Sequence, residues 1–118
     1  MKRKIPSVYI LASARNGTLY VVVTSDLHQR MAAHEQGLIE GFPKRYGVKM
    51  LVYYEMHESM PDAIAREKRL KRWNRMWKLR LIEQTNPEWS NLFDPASGEI
   101  SFAPAEVERL QSDPVGPP

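Results

Sequence analysis

The stretch that most restricts this chain is Ser7 to Thr24, "SVYILASARNGTLYVVVT". Two apolar, β-branched runs flank Asn16-Gly17, a dipeptide that tolerates the left-handed backbone a tight turn requires. "SVYILAS" (7–13) and "TLYVVVT" (18–24) are therefore expected to form one antiparallel hairpin. A lone hairpin is marginal in water, so the rest of the chain must add strands and cover a face.

The segments after Thr24 supply both. Ser25 or Asp26 can cap a helix from about Leu27 to Gln36, which Gly37 ends. "LIEGFPKRYG" reads as a loop whose basic centre is Lys44 and Arg45, and "KMLVYYEM" (49–56) as a third strand. Ser59, Pro61 and Asp62 then mark the start of a long helix. It is expected to run to about Gln84, with a break near Trp77, until Asn86-Pro87 stops it. The order β-β-α-β-α predicts an α/β fold of the α+β type: a small three-stranded antiparallel sheet with flanking helices.

With 118 residues the chain has material for one modest core. Its charge is unevenly placed. Residues 1–83 hold 16 Lys/Arg and 8 Asp/Glu, whereas residues 84–118 hold one Arg and 6 Asp/Glu. Five of the nine prolines lie at or beyond Pro95. We expect a basic domain over 1–93 and an acidic, Pro-rich, disordered tail over 94–118. A basic body points to a polyanionic partner.

Several classes drop out. Without cysteine there is neither a disulfide framework nor a thiolate metal site. No apolar run approaches the roughly 18 to 20 residues of a membrane span. The basic-then-apolar start is short and lacks a cleavage site, so it is expected to be a strand and the protein cytoplasmic.

Two clusters could carry chemistry. On the long helix, Ala63, Leu70, Trp77 and Leu81 recur at three- and four-residue steps, and Glu67 and Asn74 fall on that row. A carboxylate on an apolar stripe is costly to bury unpartnered. Two readings stay open for Glu67: a buried pair with an arginine such as Arg30 or Arg66, or a cleft-facing ligand for a hard cation. Asn74 reads as a tolerated edge position. Lys68, Arg69, Lys71, Arg72, Arg75, Lys78 and Arg80 put seven cations in thirteen positions around Glu67. Such a run is usually a solvated face, but beside a cleft-facing carboxylate it suits a phosphodiester. Trp73 and Trp77 within it read as core anchors. The second cluster is Arg30 and His34, four apart on one helix face, with Leu27 and Met31 as the packing edge. His28 and His57 read as surface residues, and Tyr9 and Tyr20 as amphipathic strand tyrosines.

Together these residues resemble the GIY-YIG nuclease superfamily, in its short single-domain bacterial branch, and thus the N-terminal domain of the excinuclease incision subunit. The first motif stands as "VYI" with Tyr9 and the second as "YVV" with Tyr20. Arg30 follows Tyr20 by ten, His34 follows Arg30 by four, and Glu67 lies in "AREKRLKRW". "EGFPKRYGVKMLVYYE" and "NPEW" resemble the same branch, and the likeness covers about residues 6–93. It departs from the pattern where Val22 replaces the second motif's glycine, and Ser7 or Val8 stands near the first.

The resemblance implies a DNA endonuclease using Mg²⁺ or Mn²⁺, with a role in DNA repair. Glu67 would hold the metal, and Arg30 would stabilise charge on the pentacovalent transition state. Tyr9 or Tyr20 would help activate water, assisted by His34. Lys44, Arg45, Lys68, Lys71, Arg72 and Arg75 would grip nucleic acid. Few elements could read bases, so single strands, flaps or damaged sites are the expected substrates. The expected partner is DNA, with no membrane, and the expected state is monomeric. The alternatives are a catalytically weakened nucleic-acid-binding module and, more remotely, a protein-interaction domain whose basic helix meets an acidic partner. Retention of all five catalytic-type side chains favours the enzyme.

Overall fold

The computed structural model describes residues 4–38 and 47–101. Strands β1 (Ser7–Ala12) and β2 (Leu19–Thr24) form the expected hairpin, helix α1 spans Leu27–Glu35, and β3 spans Met50–Met56. Helices α2 (Met60–Arg72) and α3 (Arg75–Thr85) come next, then two short strands, β4 (Phe93–Asp94) and β5 (Glu99–Ile100). The main sheet is antiparallel in the order β2-β1-β3, so β1 is central. This is the expected α+β architecture.

Alternation along β1 divides the core. Val8, Ile10 and Ala12 face a cluster that contains Ala63, Leu70, Trp73, Leu81 and Ile82 of the α2–α3 side. Tyr9 and Leu11 face the other way, against Leu27 and Met31 of α1. The sheet is thus a middle layer between α1 and the α2–α3 pair, as its near-complete burial on β1 demands.

Asn16 and Gly17 make the hairpin by different means from a two-residue turn. Only Asn16 takes the left-handed conformation, at φ +59, and the connection bonds Gly17 N–H to the Ala14 carbonyl at 2.9 Å. Gly17 is needed because a Cβ there would sit 2.9 Å from the Ala14 nitrogen and clash with the Ser13 hydroxyl.

The long helix breaks four residues earlier than expected. Trp73 leaves helical geometry, and Asn74 caps α3 by accepting from the Trp77 N–H at 2.9 Å. Asn74 is therefore a helix start, not a tolerated edge position. Its side-chain oxygen meets a donor that a new helix would otherwise leave unpaired.

In β3 the register slips between the partners of Ile10 and Leu11, leaving Val52 as the extra residue of a bulge. The Val52 carbonyl freed by that slip accepts from Asn86 Nδ2 at 3.1 Å. The segment after α3 is thereby pinned beneath the sheet. The chain then returns as the β4–β5 hairpin, whose Leu92, Phe93 and Ile100 pack with Tyr9, Leu11 and Tyr54. Tyr54 donates its hydroxyl to the Ser101 carbonyl at 2.9 Å. The domain boundary read at residue 93 falls inside this hairpin. Residues 102–118 lie outside the described residues, as do Lys44 and Arg45.

Candidate active site

Tyr9 lies mid-way along the central strand, with its ring wholly buried on the α1 side. The side chain that meets it is His34, seven residues after Leu27 and three after Met31 on the buried face of α1. The Tyr9 hydroxyl is 3.1 Å from His34 Nε2, and the rings meet edge-on at 67°. Asp26 sets where α1 begins by accepting from the Gln29 N–H at 3.2 Å. The phase of the helix, and with it the aim of His34, follows from that cap.

Arg30 stands one turn before His34 and acts electrostatically on both members of the pair. Burial raises the Tyr9 phenol far above its ordinary range, which the Arg30 charge opposes and Tyr20 reinforces. Burial also lowers the His34 imidazole, and Arg30 lowers it further. Both shifts favour a neutral pair. In the tautomer protonated on Nδ1, the Tyr9 hydroxyl donates to a bare Nε2.

Tyr20 pairs across the hairpin with Leu11, and Val22 pairs with Tyr9. Tyr20 and Val22 pack on the same face as Tyr9, so the valine in the motif's glycine position borders the tyrosines. Replacing Val22 with glycine is expected to cost the strand about 1 kcal/mol, since glycine lowers β propensity and packs nothing. It should also raise cleavage severalfold by opening the approach to Tyr9. Paired melts and single-turnover assays measure both; a less stable variant with no gain in rate would show that the valine obstructs nothing.

Tyr9, Tyr20, Arg30 and His34 thus come together on one face. Glu67 is supplied by α2, from the other side of the sheet, with its carboxylate 3.0 Å from Lys71 Nζ. Arg66, one of the two arginines expected to pair with it, engages the Glu55 carboxylate at 2.9 Å. The inward row of α2 is Ala63, Arg66 and Leu70, which turns Glu67 to the flank of the stripe, 14% exposed.

The buried carboxylate is Glu55 instead. On β3 it is 2% exposed, and it accepts from Tyr53 Oη at 2.6 Å, His57 Nε2 at 2.8 Å and Arg66 Nε at 2.9 Å. The Arg66 guanidinium also lies 5.3 Å from the Trp73 ring centre. Sequence reasoning missed this network, and it treated His57 as a surface residue. The available signal was a lone carboxylate inside the apolar run "MLVYYEM".

Among the proposed phosphate-binding cations, Lys68, Lys71 and Arg72 are exposed on α2. Arg75 is also exposed, but it donates to the Asn16 and Gly17 carbonyls at 2.6 and 2.7 Å. It ties α3 to the hairpin turn, a structural duty that the sequence did not announce.

For a metal, the described residues contain no cluster of three or more His, Asp or Glu side chains. Glu67 alone fits a hard cation that keeps most of its waters. It is partly exposed, and Lys71, which it meets, is an exposed lysine whose contact water can replace.

A family model described as "GIY-YIG catalytic domain" matches residues 5–80. The chain belongs to the GIY-YIG family. This places it among nuclease domains, whose members are generally endonucleases and generally use divalent metals. The chain is 35% identical over 77 residues to a UPF0213 protein of Staphylococcus aureus, covering 65% of this chain and 93% of that one. A UPF0213 protein of Staphylococcus haemolyticus is 34% identical over the same coverage. The solution NMR structure of a UPF0213 protein from Bacillus halodurans is similar with a TM-score of 0.47 and 26% identity, over 73% of this chain and 90% of that one. Among the described residues of this GIY-YIG domain, no helix is long and apolar enough to cross a membrane.

Proposed function

We propose that this domain is a metal-dependent endonuclease that hydrolyses a phosphodiester bond in DNA, in single-stranded or structured form. The observation that carries the reading is the 3.1 Å contact between the Tyr9 hydroxyl and His34 Nε2 beside Arg30, where burial disfavours charge on either ring. A buried phenol held above its ordinary range does not stand ready as a phenolate. Tyr9 instead acts as a relay: once a water is admitted to its buried hydroxyl, that oxygen takes a proton from the water while the phenol's own proton passes to His34 Nε2. Arg30 meets the negative charge that builds on the phosphorus oxygens. Burial is the main reason His34 resists protonation and the Arg30 charge the lesser one; a phosphate against Arg30 offsets that lesser part, so the imidazole becomes a better acceptor once substrate is in place.

Glu67 would hold the divalent metal, and Mg²⁺ or Mn²⁺ supplies Lewis acidity and lowers the pKa of a bound water. Lys68, Lys71 and Arg72 would meet flanking phosphates, with Lys44 and Arg45 added from outside the described residues. A cytoplasmic role in DNA repair and a monomeric state complete the reading.

The deciding test is incubation with labelled single-stranded, duplex and branched DNA in Mg²⁺, Mn²⁺ or EDTA. Metal-dependent products support the enzyme. Binding without products on any substrate supports the weakened binding module.

The relay fixes a pH response. His34 must be unprotonated, and its imidazole lies below the ordinary 6.5. Cleavage should therefore persist through that pH and fall only on an acid limb displaced below it. Folding has the same sign: below pH 6.5 the unfolded chain takes up a proton that the folded His34 resists, so stability drops as pH falls through that window. A pH profile of kcat/KM on wild type and His34→Gln checks this. An identical acid limb in the variant would remove His34 from the chemistry.

A further inference from the structure

The cations of α2 and α3 gather at the corner where the helices meet. Lys71 lies in the last turn of α2, and Arg75 and Lys78 open α3. Arg75 is held in place by the Asn16 and Gly17 carbonyls, and Lys71 lies exposed one turn from Glu67. Lys78 is partly buried beside them; burial first, then the charges of Arg75 and Lys71, push its ammonium below the ordinary lysine range.

This grouping is electrostatically costly. One carboxylate, Glu67, stands against three cations, which leaves two positive charges in excess. The first turn of α3 holds no acidic residue, although a helix start disfavours cations. Anchoring Arg75 to the turn keeps it from relieving the repulsion by swinging into water. An arriving anion would cancel the repulsion and give the partly buried ammonium a counter-charge.

We propose that Lys71, Arg75 and Lys78 form a discrete phosphate site that takes a phosphodiester other than the one being cut. The site lies on the α2–α3 side of the sheet beside Glu67, whereas Tyr9 and His34, the pair that would handle the water's proton, lie on the α1 side. Lys71 links it to Glu67, so the strand held here runs beside the carboxylate. That the phosphate belongs to nucleic acid rests on the nuclease reading. Lys78 separates a built site from a diffuse basic surface, because it alone of the three is partly buried.

The test uses the full chain and a short single-stranded DNA in EDTA, with cleavage of the same strand in Mg²⁺ measured alongside. Lys78→Met is expected to weaken binding roughly tenfold and to flatten the salt dependence by about 0.7 in slope, one phosphate contact on a single strand. Lys78→Arg should restore both. Arg80→Met, an exposed cation on the same helix, should lose less than about twofold. By NMR, the Lys78 side chain should titrate at higher pH once the strand is added. Equal losses for Lys78→Met and Arg80→Met would overturn the proposal in favour of a diffuse surface. Full binding by Lys78→Met, with wild type still cutting DNA, would overturn it and leave the nuclease reading intact. Wild type that neither binds nor cuts any strand would overturn both.

Discussion

Glu55→Ala is expected to destabilise the fold by about 3–5 kcal/mol, the usual result of removing one partner from a buried ion pair. The Arg66 guanidinium and the Tyr53 hydroxyl would be left under the sheet without their shared acceptor. For a domain with about 5–15 kcal/mol in hand, that loss is large enough to populate the unfolded state. Denaturant melts of Glu55→Ala, Arg66→Met and Glu55→Met/Arg66→Met check it. The double variant should recover part of the loss, because neither charge is then stranded. A loss below 1 kcal/mol for Glu55→Ala would mean that water replaces the carboxylate at no cost. Wild type offers an independent check through pH. Burial opposes the Glu55 charge, but hydrogen bonds from His57, Arg66 and Tyr53 and the Arg66 charge outweigh it, holding the carboxyl below its ordinary 4.5. This contribution is complete above that pH and is lost as pH falls through the folded-state value.

Glu67→Gln is expected to abolish cleavage while the domain still folds and binds DNA. Changing the outer partners of a metal site typically costs 10- to 100-fold, so losing the ligand's own charge should exceed about a hundredfold. The structural cost is small. Glu67 meets Lys71, a lysine that is 55% exposed, and such pairs are worth about 1 kcal/mol or less. Single-turnover cleavage across Mg²⁺ and Mn²⁺ concentrations, with a melt of the same sample, separates the two effects. Arg30→Lys belongs in the same experiment. It keeps the charge but loses the planar fork, and removal of such a donor commonly costs about 10² to 10³ in rate. Cleavage by Glu67→Gln at the wild-type rate would sink the metal-ligand role, and unfolding of the isostere would make Glu67 structural.

The two candidate clusters differed in how far they could be read beforehand. Arg30 and His34 were visible as an i, i+4 pair, because helix geometry fixes which side chains share a face. That His34 would reach Tyr9 was not visible, since it depends on how α1 lies across the sheet. The error on α2 has the same origin. The expected row took in Glu67 and Asn74, yet Arg66, three after Ala63 and four before Leu70, fits the same spacing. Burial favoured Arg66 because a complementary carboxylate, Glu55, waits on β3, eleven residues away in sequence. Asn74 left the row altogether, since a short polar side chain gains more by capping a new helix than by lining an old one.

Local chemistry therefore determined β1 to β3, the place of the hairpin connection, the helix starts near Asp26 and Ser59, and the chain order up to the long helix. Each rests on interactions within a few residues, which a sequence displays directly. The tertiary structure alone decided which carboxylate was buried, that Arg75 would clasp the hairpin turn, and that Val22 would stand opposite Tyr9 on the face that His34 covers. Those outcomes turn on strand register and on how the helices lie across the sheet. Both are set by the packing of segments far apart in the chain, which no local pattern records.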